Sequence, residues 1–447
     1  MSTTPSTDSS TQDLWSGTAR LWIAVPVAVA GFFYSNILEY CLPLYFDALQ
    51  VPRDTWSNLV KFKLAAWIIG SALAGLLSRR YGERLVWSAA LLGKVLVILG
   101  LIYCPTPTMI NMLSVWQGFT GALMWIAGIS LIQMVPDARK GLSNGLLMVS
   151  LGVGAVFGAL IGRFIIYRGE LNPLLAAGDV AGAGSRLFNF TKLTSTPVTE
   201  DFLLIFWVIM FTTVLSAVAI ALWGQRSGRF HRDEPADWNR TFKDVGQLVS
   251  NPKFWALVIP LAVMGGPVFQ VSNQFLPYRA EDLGLKQGSE DQGWIWLQLL
   301  KTVMWIPGGA AVGLLAGRRA PGLAAVIILG SFSLGALGIG LSSVVWQIFI
   351  AVALFEFARQ FMRWSHAGYL SEHMPDSLRA TAIGCTIMFS GIGSTAYSFI
   401  APVLWNPNSA DFRSWKPAVA GAVIGLIGTV GLFIYDRLRP IRDTVDG

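Results

Sequence analysis

Gly75-Leu76-Leu77-Ser78-Arg79-Arg80-Tyr81-Gly82-Glu83-Arg84 is a short basic hinge between two apolar runs. Behind it the chain is apolar over 58–78, and ahead of it over 86–104. A helix of about 20 apolar residues crosses roughly 30 Å of hydrocarbon, so each run is long enough to cross a bilayer. Similar runs lie near 21–46, 108–134, 142–166, 201–224, 253–278, 292–317, 321–341, 344–371, 379–404 and 416–435. These are about twelve spans, numbered 1 to 12 in chain order.

The composition agrees. Of 447 residues, 53% are hydrophobic and 13% charged, with a mean hydropathy of +0.54. Soluble domains carry about 25% charged residues. The net charge of +7 sits in short loops between apolar runs rather than on a basic module, so nucleic acid is excluded as a partner. Lys and Arg sort to one side: about 18 fall in alternate segments starting with the N-terminus and about 10 in the others. Cytoplasmic loops carry that excess, which places both termini in the cytoplasm. Residues 1–20 hold no apolar signal core, so the first apolar helix is expected to serve as the targeting signal. Cys41, Cys104 and Cys385 form neither a disulfide framework nor a metal spacing. No cofactor and no metal are expected.

The expected organisation is a cytoplasmic tail over 1–20, a six-helix bundle over 21–224, a cytoplasmic linker over 225–252, a second bundle over 253–436 and a tail over 437–447. The segment 168–200 reads as a long, partly irregular outside loop with a sequon at Asn189-Phe190-Thr191. The two bundles repeat one another. Pro136-Asp137 aligns with Pro375-Asp376 at an offset of 239, which also matches Lys140 to Arg379, Gly145 to Gly384, Gly152 to Gly391 and Gly154 to Gly393. Gly75-Leu76-Leu77 aligns with Gly313-Leu314-Leu315 at 238. Two six-helix repeats around a central binding site make a transporter architecture.

The hinge resembles the loop motif of the major facilitator superfamily, Gly-x-Leu-x-Asp-Arg-x-Gly-Arg-Arg. Gly75, Leu77, Arg80, Gly82 and Arg84 match; Arg79 replaces the Asp and Glu83 one of the Args. The outer end of span 1, Leu42-Pro43-Leu44-Tyr45-Phe46, is similar to that family's exit from its first helix. The resemblance covers nearly the whole chain. It implies an all-α integral membrane fold of about twelve transmembrane helices in two pseudo-symmetric six-helix bundles. In the family this loop helps to lock the cytoplasmic gate. That assigns gating to Gly75, Arg80, Gly82 and Arg84, with Glu83 as the substitute carboxylate, and to Asp137, Arg139, Asp376 and Arg379 at the matching ends of spans 5 and 11. Gly145, Gly154, Gly158 and Gly162 on span 5 resemble the motif of drug/proton antiporters, but Ala159 and Arg163 depart from it. The other reading of these glycines is close helix packing.

Ionisable residues inside spans cost about 2.5–3.5 kcal/mol each on insertion scales, so each needs a partner, a cavity or a task. Glu39 on span 1 and Glu356 on span 10 are the two carboxylates and are assigned to proton coupling. Glu39 has no opposite charge within a turn of its own helix; a bridge to Lys61 or Lys63 is its structural alternative. The cations are Lys94, Lys301, Arg359 and Arg363. Glu356, Arg359, Arg363 and His366 share one face of span 10 by their spacing. Arg359 offers a fork to a carboxylate or phosphate; the alternative is a charge network between helices. Lys94 reads as structural. Lys301, on a helix that lines the cavity in the family, joins Arg359 as a substrate ligand. Gln117, Gln270 and Asn273 are candidates for hydrogen bonds to substrate, and Trp125 for stacking, alongside Trp116, Trp296 and Trp305. Most of the 18 tryptophans fit an interfacial belt.

The function expected is a secondary active transporter working by alternating access as a monomer in the plasma membrane, moving a small solute with protons. An organic anion or other polar metabolite is favoured by the excess of intramembrane cations. The alternative is proton-coupled efflux of amphipathic compounds. A non-transporting receptor lacks a signalling domain here. A membrane enzyme would need a nucleophile, metal or phosphate motif, and none is present: His366 and His373 lack zinc spacing.

Overall fold

The computed structural model describes residues 26–30, 41–42, 45–46, 48–49, 51, 53–132, 137–188, 199–226, 238–285, 292–315, 321–364, 379–404 and 415–437. Among these the regular structure is entirely helical. Span 1 is helical at 26–30 and through most of 41–48. Spans 2 to 6 are Arg53–Tyr81, Glu83–Tyr103, Pro107–Ile132, Asp137–Ile166 and Thr199–Arg226. Spans 9 to 12 are Pro321–Leu341, Val345–Trp364, Arg379–Leu404 and Trp415–Arg437. Seven described helices are long and apolar enough to cross a membrane by themselves.

Spans 7 and 8 are interrupted. Span 7 runs as Pro252–Val258, a π-helical stretch Ile259–Met264, Gly265–Gln270, a second π stretch Val271–Phe275, and Leu276–Asp282. Pro260, Pro267 and Pro277 lie within it. A proline removes a backbone donor and pushes on the preceding turn, and wider turns relieve that strain. Span 8 is Gln292–Val303 and Trp305–Leu315, with a turn at Met304.

The described part of the expected outside loop, 168–188, holds two short helices, Arg168–Ala176 and Val180–Phe188. The Gly182 N–H donates to Asp179 Oδ1 at 2.7 Å, capping the second. Arg168 pairs with Asp201 at 3.0 Å and Arg186 approaches Glu170 at 3.8 Å, tying the helices to each other and to span 6. The segment between the halves contains the helix Trp238–Ser250. Gly82, which turns the chain from span 2 into span 3, has φ 93°, a conformation natural only to glycine.

The two halves pack alike. Span 4 lies against spans 2 and 3, and span 3 against span 6; correspondingly, span 10 lies against spans 8 and 9, and span 9 against span 12. Individual contacts repeat as well. A Cβ on Gly70 would lie 2.8 Å from the Phe119 carbonyl oxygen, and one on Gly308 would lie 2.8 Å from that of Phe357. A Cβ on Gly154 would strike the Ala28 carbonyl of span 1, as one on Gly393 would strike that of Val263 on span 7. The span 5 glycines are therefore packing positions, where small residues admit a neighbouring backbone.

The halves meet along two seams, span 2 with span 11 and span 5 with span 8. These are also mirror images. Gly391 faces Ile68, and Gly152 faces Ile306, the residue 238 positions after Ile68. Nearer the hinge, a Cβ on Gly75 would sit 2.6 Å from Thr381 Cα. The outward surface is apolar, with Phe211, Leu215, Trp346, Ile350 and Phe399 exposed, as a lipid-facing surface requires.

Candidate functional site

Glu356 is fully buried on span 10, so its charge must be balanced by neighbours. Three elements supply them. Arg359, one turn along the same helix, donates from Nη1 to both carboxylate oxygens, at 3.1 and 3.2 Å. The Ser272 hydroxyl, from the second π stretch of span 7, donates to Oε1 at 2.8 Å. Trp305 Nε1, from span 8, donates to Oε2 at 2.9 Å. Lys301, one turn before Trp305, places Nζ 3.5 Å from the Ser272 carbonyl oxygen and also acts electrostatically on Glu356.

Arg359 lies between two rings. Its guanidinium carbon is 4.0 Å from the centre of Phe269 and 5.8 Å from that of Trp305, and such faces attract a cation. The side chain is only 9% exposed, and its buried Nε has no hydrogen-bond partner among the described residues. A buried guanidinium with an unused donor is equipped to take an anion. Lys301 adds a second positive charge, so Glu356, Arg359 and Lys301 together carry a net charge of about +1 when all are ionised.

Trp305 links this cluster to the other half. Its Cβ is 3.1 Å from where a Cβ on Gly152 would stand, at the seam of spans 5 and 8. Its ring belongs to the buried cluster of the first half, with Met148, Leu151 and Ala155. One side chain therefore touches the carboxylate and the seam between halves.

The structure brings together Arg359, Lys301 and Glu356 among the residues picked out from sequence. Gln270 and Asn273 flank Ser272 on span 7; Gln270 is buried and Asn273 exposed. Gln117 is buried on span 4, in the other half, and Trp125 packs against that half's core. Glu83 is buried at the start of span 3, where the Ser130 hydroxyl donates to it at 3.4 Å. Gly75 lies in the seam, while Arg80 and Arg84 are half-buried beside the hinge. Asp137, Arg139, Arg363 and Arg379 lie on helices, but their side chains fall outside the described parts, as do Glu39, His366, Asp376 and the sequon. Ser272 and Phe269 had no sequence signal of their own. Trp305 had one: Lys63-Leu64-Ala65-Ala66-Trp67 recurs as Lys301-Thr302-Val303-Met304-Trp305 at the repeat offset of 238.

The fold has solved counterparts. It is similar to FucP in the outward conformation, with a TM-score of 0.67 and 12% identity over 94% of this chain and 98% of that one. A second structure of FucP, the E. coli fucose:proton symporter, gives 0.63 and 13% over 94% and 97%. The proton:xylose symporter XylE gives 0.58 and 14% over 93% and 96%. In sequence, the chain is 26% identical over 157 residues to the staphyloferrin B transporter of Staphylococcus aureus, across 34% of this chain. That match spans about a third of the relative's length (37%). The family model of the Major Facilitator Superfamily matches residues 27–398. The chain therefore belongs to the major facilitator superfamily, and it is a multi-pass membrane transporter rather than an enzyme.

Proposed function

We propose that this transporter carries a small organic anion together with protons, by alternating access between halves spanning 21–224 and 253–436. The observation that carries the reading is Arg359: a buried guanidinium, held by Glu356 through one nitrogen, clasped by Phe269 and Trp305, with Nε unpartnered among the described residues. A carboxylate approaching it gains charge-assisted hydrogen bonds in a dry site.

The same cluster supplies a coupling device. A proton on Glu356 removes the negative charge, and the Glu356, Arg359 and Lys301 group passes from a net of about +1 to about +2. The anion then binds better, and by linkage the bound anion favours the proton. Anion and proton travel together on that account. Glu39 is assigned to a second proton site, and Gln117, Gln270, Asn273 and Trp125 to further solute contacts. The printed names of FucP and XylE, both proton symporters, support coupling by analogy of fold.

The Lys/Arg bias places both termini and the 75–84 hinge in the cytoplasm, with the protein acting as a monomer in the plasma membrane. Gly75, Arg80, Gly82, Glu83, Arg84, Asp137, Arg139, Asp376 and Arg379 then form the inner gate. The tight contact at Gly75 supports a closed inner side, as does the likeness to an outward conformation.

The test is uptake into proteoliposomes with an inward proton gradient. Accumulation of a carboxylate that collapses with a protonophore is expected. Stabilisation of the detergent-solubilised protein by neutral sugars or lipophilic cations, with none by carboxylates, would move the reading to another solute class.

A further inference from the structure

We propose that the helix Trp238–Ser250, between the two halves, lies flat in the headgroup layer of the membrane and sinks one apolar face into the acyl chains. This interaction surface stands apart from the solute site and from the anion reading.

The sequence of the helix is built for that position. An α-helix turns about 100° per residue, so Trp238, Phe242, Val245 and Val249 fall within about 60° of one another on one face. Lys243 and Gln247 fall on the opposite face, and both are exposed. The apolar stripe is not spent on the protein's core. Phe242 is 58% and Val249 40% exposed, while Trp238 and Val245 are half-buried. The rings of Trp238 and Phe242 stack on each other with centres 5.9 Å apart. Beside the stripe Leu248 turns inward and packs with Phe254 and Val258 of span 7 and Ala382 of span 11. One flank thus fixes the helix to the second half and leaves the stripe uncovered. A helix with an apolar face on one side and a polar one on the other is suited to the membrane interface.

The place of the helix on the bundle points to the same partner. Only Asn251 separates it from Pro252, where span 7 begins. The Trp255 indole of span 7 donates to the Val249 carbonyl at 2.6 Å, and its ring meets that of Phe389 on span 11 at 4.8 Å. One turn beyond Trp255, Ile259 is already exposed on the outside of span 7. The C-terminal end of the helix is therefore pinned where the lipid-facing surface begins. From Trp238 to Val249 the stripe is about 16 Å long. A helix standing off the membrane would hold Trp238 and Phe242 in water, whereas one lying flat wets none of the four. Tryptophan, with an apolar ring and one donor, is at home in that layer.

Charge agrees with a lipid partner. The stretch 226–253 holds Arg226, Arg229, Arg232, Arg240, Lys243 and Lys253 against Asp233, Glu234, Asp237 and Asp244, six cations to four anions. That excess suits anionic headgroups. Anchored in this way, the helix holds the adjoining end of the second half at one depth while the first half moves against it.

The experiment uses the full-length protein, with Cys41, Cys104 and Cys385 replaced by Ala, in vesicles of three parts phosphatidylcholine to one part phosphatidylglycerol. A nitroxide is attached in turn at Phe242→Cys, Val249→Cys, Lys243→Cys and Gln247→Cys. Its relaxation by oxygen, which concentrates among acyl chains, is compared with that by a water-soluble nickel chelate. The labels at 242 and 249 should favour oxygen over nickel at least fivefold more than those at 243 and 247. Nickel access at 242 and 249 equal to that at 243 and 247 overturns the proposal, because the stripe then lies in water. So does exclusion of both agents at 242 and 249, which means that protein covers the stripe, whether a second copy or another segment of this chain. Val245→Cys gives the same reading should either stripe variant fail to insert folded.

Discussion

Lys301 and Lys63 occupy matching turns of spans 8 and 2, but one stands near a buried carboxylate and the other lies over a glycine backbone. Around them the packing is duplicated: Ile306 against Gly152 repeats Ile68 against Gly391, and Gly308 against Phe357 repeats Gly70 against Phe119. The contacts that seat helix on helix recur in both halves, whereas the groups that hold charge differ. The scaffold is common to both halves; the chemistry belongs to each half separately.

Four experiments bear on this contrast, taken from the strongest effect down. Arg359→Ala should abolish uptake, by about a hundredfold or more. It would leave Glu356 buried without its cation, and breaking a buried pair from one side costs about 3–5 kcal/mol. Proteoliposome uptake and thermal unfolding in detergent would record both losses; near-normal uptake would end the special status of the second half. Next come the seams. Gly75→Ala puts a methyl 2.6 Å from Thr381 Cα, against backbone that cannot yield, and should slow transport about tenfold. Gly152→Ala meets Ile306 Cγ1 and Trp305 Cβ at 3.1 Å and the Ile306 backbone nitrogen at 3.2 Å, each needing only a few tenths of an ångström of give, so the smaller effect of about threefold is expected. Equal effects would mean that the two seams open alike.

Trp305→Phe removes the donor to Glu356 but keeps a ring at the seam. Proton-driven accumulation should fall about tenfold while solute exchange, with no gradient, changes less than threefold. Trp67→Phe, its mate in the first half, should leave both within twofold. The smallest effect is expected at Gln360, fully buried with neither amide atom hydrogen-bonded among the described residues. Its counterpart is Ala122. Replacing an unsatisfied buried amide by an apolar group is neutral to stabilising, so Gln360→Leu should raise the unfolding temperature by about 1–2 °C. A marked fall would show that the amide is used.

Much of the fold was legible because hydrocarbon imposes a simple rule: long apolar runs parted by short basic loops. The repeat was legible for a related reason, since packing glycines cannot be exchanged freely. Glu356, Arg359 and Lys301 stood out because charge inside a span is costly. Their partners did not. Ser272 reaches Glu356 across 84 positions, and two π stretches shift the face that span 7 presents, so no helical periodicity points from one to the other. The helix Val180–Phe188 was hidden by its Gly and Ala content. A single capping aspartate, Asp179, marks its start.

The π stretch Val271–Phe275 has a genetic consequence. A wide turn accommodates one residue beyond an α-turn, and each residue turns a helix by about 100°. An in-frame loss of one codon within 271–275 would let the turn relax to ordinary α-helix and rotate the segment Leu276–Asp282 relative to the Phe269 side of span 7. The ring over Arg359 and the Arg279 bond to the Ser342 carbonyl could not both be kept. Span 7 should therefore tolerate many exchanges of one letter for another, yet hardly any change in its number of letters.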